Sequence, residues 1–224
     1  MKIRICQRPQ HVTPPAAVAA LHVPAAKLVV KSRPQRVLDF DIENRPLSYL
    51  GSDFTTAEVT AIAWAWSDRP QDVTVYLLGE HDLGDILRAF VAAYDQADMV
   101  TGHFITGHDL PMLNGALMEL GRPALKDTWV QDTKTHLIRS KGISLSQESL
   151  GAMFRLDHQK VVMNQSKWRA AKRLTPAGLA EVRQRVTGDV QQHLDLRREL
   201  LARGYLAPPK RWRSGSAHKE EYVP

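Results

Sequence analysis

Acidic side chains recur in three places where their spacing could do chemistry. The first is Arg36–Ile42, a stretch that alternates apolar and acidic residues towards its end, as a β-strand does. Side chains two apart leave the same face of a strand. Asp39, Asp41 and Glu43 therefore share one face, and Leu38, Phe40 and Ile42 the other. Carboxylates set side by side repel one another and are costly to bury. Such a face is either open to water or neutralised by cations. Mg²⁺ and Mn²⁺ suit carboxylate oxygens, with water and substrate phosphate completing the shell. The second place is Gly102–Pro111 (GHFITGHDLP), which follows a short apolar strand and opens a helix. Asp109 reads there as a helix cap or as a ligand. The third is Asp189, inside a helical stretch, with Arg185 four residues before it and His193 four after. Residues four apart share a helix face, although a lone helical Asp commonly faces solvent.

Basic and aromatic side chains lie between the second and third places: Lys160, then Lys167–Trp168–Arg169, then Lys172–Arg173. Cations around one aromatic ring suit a single-stranded backbone with a base stacked on the ring. The other reading is a solvated loop with Trp168 packed on the core. A Gly-rich phosphate loop, an HExxH helix and a GxSxG elbow are all missing from the sequence.

Taken together, the three acidic places resemble the DnaQ-like, or DEDD, 3′–5′ exonucleases. Phe40–Asn44 (FDIEN) is similar to the family's first motif, Gly102–Pro111 to its second, and Gly188–Val190 to the end of its third. Order and spacing agree, and the resemblance covers roughly residues 36–203. It is closest to the variant shared by proofreading domains of B-family polymerases and small phage or bacterial exonucleases. The resemblance implies a ribonuclease H-like α/β fold: a three-strand antiparallel meander extended by parallel strands, with flanking helices. It also implies that Asp41, Glu43, Asp109 and Asp189 hold two divalent ions, Mg²⁺ or Mn²⁺. Two such ions stabilise the attacking and leaving oxygens of phosphodiester cleavage. Four positions depart from the family pattern. Phe104 stands where the second motif usually has Asn, and His108 where it usually has Phe. Arg185 stands where the third motif usually has a water-orienting Tyr, and Gln184 where the other variant has His. A guanidinium stays protonated and cannot serve as a base. His193 is the expected substitute, with His108 a second candidate.

The elements that must position these residues can be read from periodicity. Arg36–Ile42, Val59–Trp66 and Val73–Leu78 read as strands with short connections, hence a meander. Asp82–Ala97 carries an apolar helical face, Met99–Thr101 a short buried strand, and Asp109–Leu120 a helix ended by Gly121. Thr128–Asp132 is a final strand. Ser146–Arg155 and Pro176–Arg203 are helical, the latter as two helices meeting near Gly188. This is an α/β pattern around a mixed sheet.

The chain has 224 residues, a net charge of +6 and one cysteine, Cys6, which excludes a disulfide framework and fits a reducing, cytoplasmic setting. No apolar run is long enough to span a membrane, and two prolines before Ala16–Leu21 argue against a signal peptide. The excess charge lies in residues 1–35, where Lys2, Arg4, Arg8, Lys27, Lys31 and Arg33 meet no Asp or Glu. Residues 1–35 read as a Pro-rich basic arm, 36–206 as the exonuclease-like domain, and 207–224 as a flexible basic tail. Two function classes follow. One is an exonuclease acting on a single-stranded 3′ end, DNA rather than RNA, alone or beside a DNA polymerase. The other is a binding module on the same fold. An arm that recruits nucleic acid releases counterions. Deleting residues 1–35 should therefore weaken strand binding and flatten its salt dependence, as read by anisotropy titrations at several salt concentrations. An unchanged affinity and slope would make the arm a passive leader.

Overall fold

A computed structural model describes residues 35–47 and 54–215. Strands β1 (Val37–Pro46), β2 (Ala57–Trp66) and β3 (Arg69–Leu77) form an antiparallel meander. Helix α1 (Leu83–Gln96) leads to β4 (Met99–Gly102), which pairs parallel to β1. Helix α2 (Asp109–Glu119) leads to β5 (Thr128–Asp132), parallel to β4. Three helices follow, α3 (Gln147–Phe154), α4 (Gln165–Lys172) and α5 (Pro176–Ala202), and then a short strand β6 (Lys210–Trp212). The sheet order is β3-β2-β1-β4-β5-β6. This mixed sheet with its flanking helices is a ribonuclease H-like α/β fold, as the motifs imply.

The alternation along β2 decides how the helices pack. Ile62 and Trp64 point to the side of α1, where they meet Leu38, Phe40, Ile86 and Phe90. Ala61, Ala63 and Ala65 point to the other side, and these small side chains let α5 lie close. Helix α5 answers with Val182, Val186, Val190 and Leu194, a ridge of residues four apart. The pairing of β1 with β2 slips once: Glu43 faces Ala61 but Asn44 faces Val59. Thr60 is thus the extra residue of a bulge, and its hydroxyl donates to the Glu43 carbonyl at 3.2 Å. Bulges re-aim side chains beside functional positions, and this one lies next to the acidic face.

Helix α5 runs unbroken through Gly188, so the expected division into two helices is not found. Burial along one face holds it together there. Its start is set by Thr175, whose side chain accepts from the Gly178 N–H, with Pro176 in the first turn. Residues 165–172, for which a solvated loop is one of the two expectations, form helix α4, of which only Ala171 is buried. An Asn164 cap and its seat on α5 support it instead. A Cβ on Gly178 would fall 2.3 Å from the Ala170 carbonyl, which shows how closely the two helices approach. The tail expected from residue 207 contains β6, which pairs antiparallel with β5, and Trp212 packs on the core. Residues 1–34, 48–53 and 216–224 lie outside the described residues, and with them nearly all of the basic arm.

These two glycines should respond oppositely to alanine. A Cβ on Gly188 would meet Val161 at 3.5 Å, an ordinary contact. Gly188→Ala should therefore raise stability by up to ~1 kcal/mol, the helical preference for Ala over Gly. Gly178→Ala should lower it by forcing α4 away. Urea melts of the two variants check both signs.

Candidate metal centre

Helix α5 crosses the acidic face of β1 and sets its side chains against Asp39, Asp41 and Glu43; Asp39 is buried, whereas Asp41 and Glu43 are half-buried. Asp39 is completely buried and its Oδ2 lies 2.5 Å from His193 Nδ1. Asp41, Glu43 and Asp189 bring carboxylate oxygens within 4.8 Å of one another. Asp109 begins α2 rather than capping it, and its Oδ1 accepts the Ile42 N–H at 3.2 Å. It stands close enough that its charge, like those of Asp189 and Glu43, raises the pKa of Asp41.

Burial raises all four groups, and repulsion by another acid of the cluster adds to it in Asp41, Glu43 and Asp109. Asp41 is pushed well above the usual carboxylate range, by burial first and then by Asp189, Asp109 and Glu43. Burial raises Glu43 to about 7 despite the opposing charge of Arg185. Asp109 also rises to about 7, mainly through burial, with the Ile42 hydrogen bond pulling the other way. Asp189 is raised by burial and lowered by Lys160 and Arg185.

Two cations reach the cluster. Arg185 Nε lies 2.7 Å from Asp189 Oδ2 and 3.6 Å from Glu43 Oε1. The first contact is an ion pair without hydrogen-bond alignment, since this N–H finds no acceptor. Another guanidinium nitrogen donates to the Val161 carbonyl at 2.6 Å. Lys160 Nζ lies 3.7 Å from Asp189 Oδ2. Lys160 was read as part of the substrate grip, and its contact with Asp189 had no signal in the sequence, because a loop brings it across α5. Asp189 Oδ1 remains buried without a partner. An orphaned buried oxygen among hard donors of like charge fits a divalent cation. Asp41, Glu43 and Asp189 could hold such an ion, with Asp109 adjoining.

His193 does not reach this cluster. It is 2% exposed, with Nδ1 engaged by Asp39 and Nε2 lying 2.9 Å from Thr133 Oγ1. This geometry does not support the expectation that it acts as a base, because both ring nitrogens face protein partners and not the cluster. The four-residue spacing from Asp189 was right, but the next turn of α5 points at Asp39 instead of Asp41. The chain continues from Thr133 Oγ1 to His103 Nδ1 at 2.9 Å. Burial, with His193 second, lowers His103 to about 4. His108 is half-buried and its Nε2 lies 3.2 Å from Asn44 Oδ1, near the end of β1.

The residues expected to grip a strand are divided by α4. Trp168 is half-buried and packs on the core with Leu179 and Val182. Lys167 pairs with Glu181 at 2.7 Å, and Arg169 is exposed. Sequence reasoning missed Asp132. Its Oδ1 accepts from the N–H groups of Phe104, Lys134 and Thr135, and its Oδ2 from the N–H and hydroxyl of Thr106. Burial alone would raise Asp132, but these hydrogen bonds, led by Thr106, hold it below the usual range. The run Asp132–Thr–Lys–Thr135 was a legible signal, since Asp commonly accepts from N–H groups two and three residues on.

No protein-family model and no curated protein matches the chain. Among solved structures it is similar to the family B DNA polymerase from the hyperthermophilic archaeon Pyrobaculum calidifontis, with a TM-score of 0.56 and 20% identity. The match covers 75% of this chain and 25% of that one, so the chain spans about a quarter of the polymerase. At this identity the likeness is one of fold. The fold and the acidic cluster together define a ribonuclease H-like domain with a candidate metal centre.

The raised carboxyls set a pH dependence. A carboxyl with a higher pKa when folded binds its proton more tightly in that state. Its contribution is therefore full below the unfolded value and is lost as pH rises through the folded one. For Glu43 and Asp109 the window runs from 4.5 and 3.8 to about 7. In chelator, this centre should lower the melting temperature across that window, and Asp41→Asn should reduce the fall. Identical slopes in wild type and Asp41→Asn, followed by circular dichroism, would show that the carboxylates do not interact.

Proposed function

We propose that this protein is a metal-dependent 3′–5′ exonuclease that hydrolyses single-stranded nucleic acid, DNA rather than RNA, to nucleoside 5′-monophosphates. The observation that carries this reading is the convergence of Asp41, Glu43 and Asp189 from β1 and α5, with Asp109 adjoining. Clustered buried acids cost stability through repulsion, and a bound cation reverses that cost. The sequence resemblance supplies the reaction class, and the fold likeness to a family B polymerase agrees with the variant it points to.

Asp41, Glu43 and Asp189, with Asp109 adjoining, would hold Mg²⁺ or Mn²⁺. When bound, two such ions offset the charge that develops on the attacking and leaving oxygens of the phosphodiester. The chain's own residues hold the geometry around them. The Ile42 N–H fixes the Asp109 carboxylate, and Arg185 ties Asp189 to the loop at Val161 and to Glu43. Arg185 remains charged and takes no proton from water. His108, which contacts Asn44 at the end of β1, is the remaining candidate to accept that proton. Exposed Arg169, with Lys167 and Trp168 behind it, would attract the strand backbone. A 3′ end presented by a DNA polymerase is the partner that this reading implies.

A second reading has its own observation. Arg185 and Lys160 already place two positive charges against Asp189, which a strand-binding module without hydrolysis could use in place of metal. Mn²⁺ titration separates the two. Metal bound only by the folded state adds about 2.7 kcal/mol at a hundredfold excess over Kd. A clear rise in melting temperature, reduced in Asp41→Asn, supports the enzyme. With Mn²⁺, 5′-labelled strands should shorten stepwise and 3′-labelled strands should release mononucleotide at once. Asp41→Asn should slow both by at least about 10²-fold, the scale of losing one element of the electrostatic stabilisation of developing charge. Strand binding with no metal-induced shift and no product would favour the binding module.

A further inference from the structure

The loop between β4 and α2 presents Phe104 in an unusual way. Its φ is +70°, a left-handed conformation that costs a side-chain-bearing residue roughly 1–2 kcal/mol. The ring is nevertheless 38% exposed, so burial does not explain its presence. The loop is built around it. The Phe104 N–H donates to Asp132 Oδ1 at 2.9 Å, and the Phe104 carbonyl accepts from the N–H groups of Gly107 and His108, each at 3.1 Å. The ring edge lies over Gly107 so closely that a Cβ there would fall 2.5 Å from Phe104 Cζ. A cation accompanies the ring, with Lys134 Nζ 4.0 Å from its centroid. One carboxylate oxygen, Asp132 Oδ1, accepts from both Phe104 and Lys134 and so fixes the two backbones relative to each other. The loop leaves from the end of β4 beside the acidic strand: a Cβ on Gly102, the last residue of β4, would fall 2.8 Å from the carbonyl of Phe40, the residue before Asp41.

An exposed, rigidly supported ring beside a mobile-headed ammonium matches an unpaired nucleobase and its phosphate. Every base offers a π-face to stack, and the ammonium can leave the ring for a phosphate oxygen. Alternatives fit less well. A protein partner would call for a contiguous apolar patch, whereas Phe104 is flanked by Thr106, Gly107, Lys134 and Thr135. We propose that Phe104 and Lys134 form a stacking subsite for one unpaired nucleobase of a single strand whose end lies at the carboxylates. This site rests on the exonuclease reading for its location, but it makes its own claim: that a base, and not only the phosphate backbone, is held.

Binding without turnover tests it. A fluorescein-labelled single-stranded DNA of about ten nucleotides is titrated in Ca²⁺, and again with an abasic unit at each of the three 3′-terminal positions. Phe104→Gly removes the ring and suits the backbone, since glycine adopts positive φ without strain. It should melt no lower than wild type. It should bind the intact strand roughly 5- to 150-fold more weakly, the range for loss of one stacked base. One abasic position should weaken wild type by a similar factor and leave Phe104→Gly nearly indifferent. Phe104→Trp should retain the affinity. Lys134→Met should weaken binding and reduce the salt slope by about 0.7, the single-strand value for one phosphate contact. If Phe104→Gly keeps wild-type affinity, or wild type treats every abasic strand like the intact one, the subsite does not exist. Failure of wild type to bind any strand overturns it too. Base-dependent binding without Mn²⁺-driven hydrolysis would retain the subsite and remove the exonuclease. Hydrolysis with no loss in Phe104→Gly would do the reverse.

Discussion

Helix α5 lies across the acidic face of β1, and each carboxylate there must be compensated where contact with water is reduced. An uncompensated buried charge costs several kcal/mol, comparable to the whole stability of a domain. Three different solutions stand along one strand. Asp39, completely buried, is paired with His193. Glu43 faces Arg185 at 3.6 Å. Asp41 has three acids as neighbours and Lys160 as the cation that lowers it, and it stands well above the usual range. Compensation therefore fades from one end of the face to its middle. The middle is where a divalent cation has the most to offer.

The same constraint explains why α5 is long and unbroken. Arg185, Asp189 and His193 lie four residues apart and face β1 in register with Glu43, Asp41 and Asp39 in turn. A break at Gly188 would detach one of these partners from its acid. The alanines of β2 make the approach possible, because larger side chains at Ala61, Ala63 and Ala65 would lift the helix away. Packing of small residues on one strand thus sets the electrostatics on the next.

A second support lies at the ends of β4 and β5. Asp132 gathers five hydrogen bonds from the two loops that follow these strands. Beside it, the buried line from Asp39 through His193 and Thr133 to His103 joins β1, α5, β5 and the loop after β4. The loop that carries Phe104 and leads into Asp109 is accordingly tied to both sheet and helix. A site made of side chains from distant segments depends on such ties for its geometry.

The elements were largely legible in the sequence, because their signals are local. Alternation placed β1 and β2, the apolar face placed α1, and Gly121 placed the end of α2. Alternation also put Asp39, Asp41 and Glu43 on one face. Helix α4 and β6 escaped, since α4 buries only Ala171 and β6 is three residues that pair only because β5 has a free edge. Periodicity placed Asp189 and His193 on one face of α5 but could not say which acid each would meet. That depends on the angle and height at which α5 crosses the sheet, which the β2 alanines and the Thr60 bulge decide through contacts far apart in sequence. So the residue types determined the fold class and the kind of chemistry. Only the packed structure turned His193 inward to Asp39, brought Lys160 onto Asp189 and held Phe104 out to solvent, because charge and burial are settled between segments and not within them.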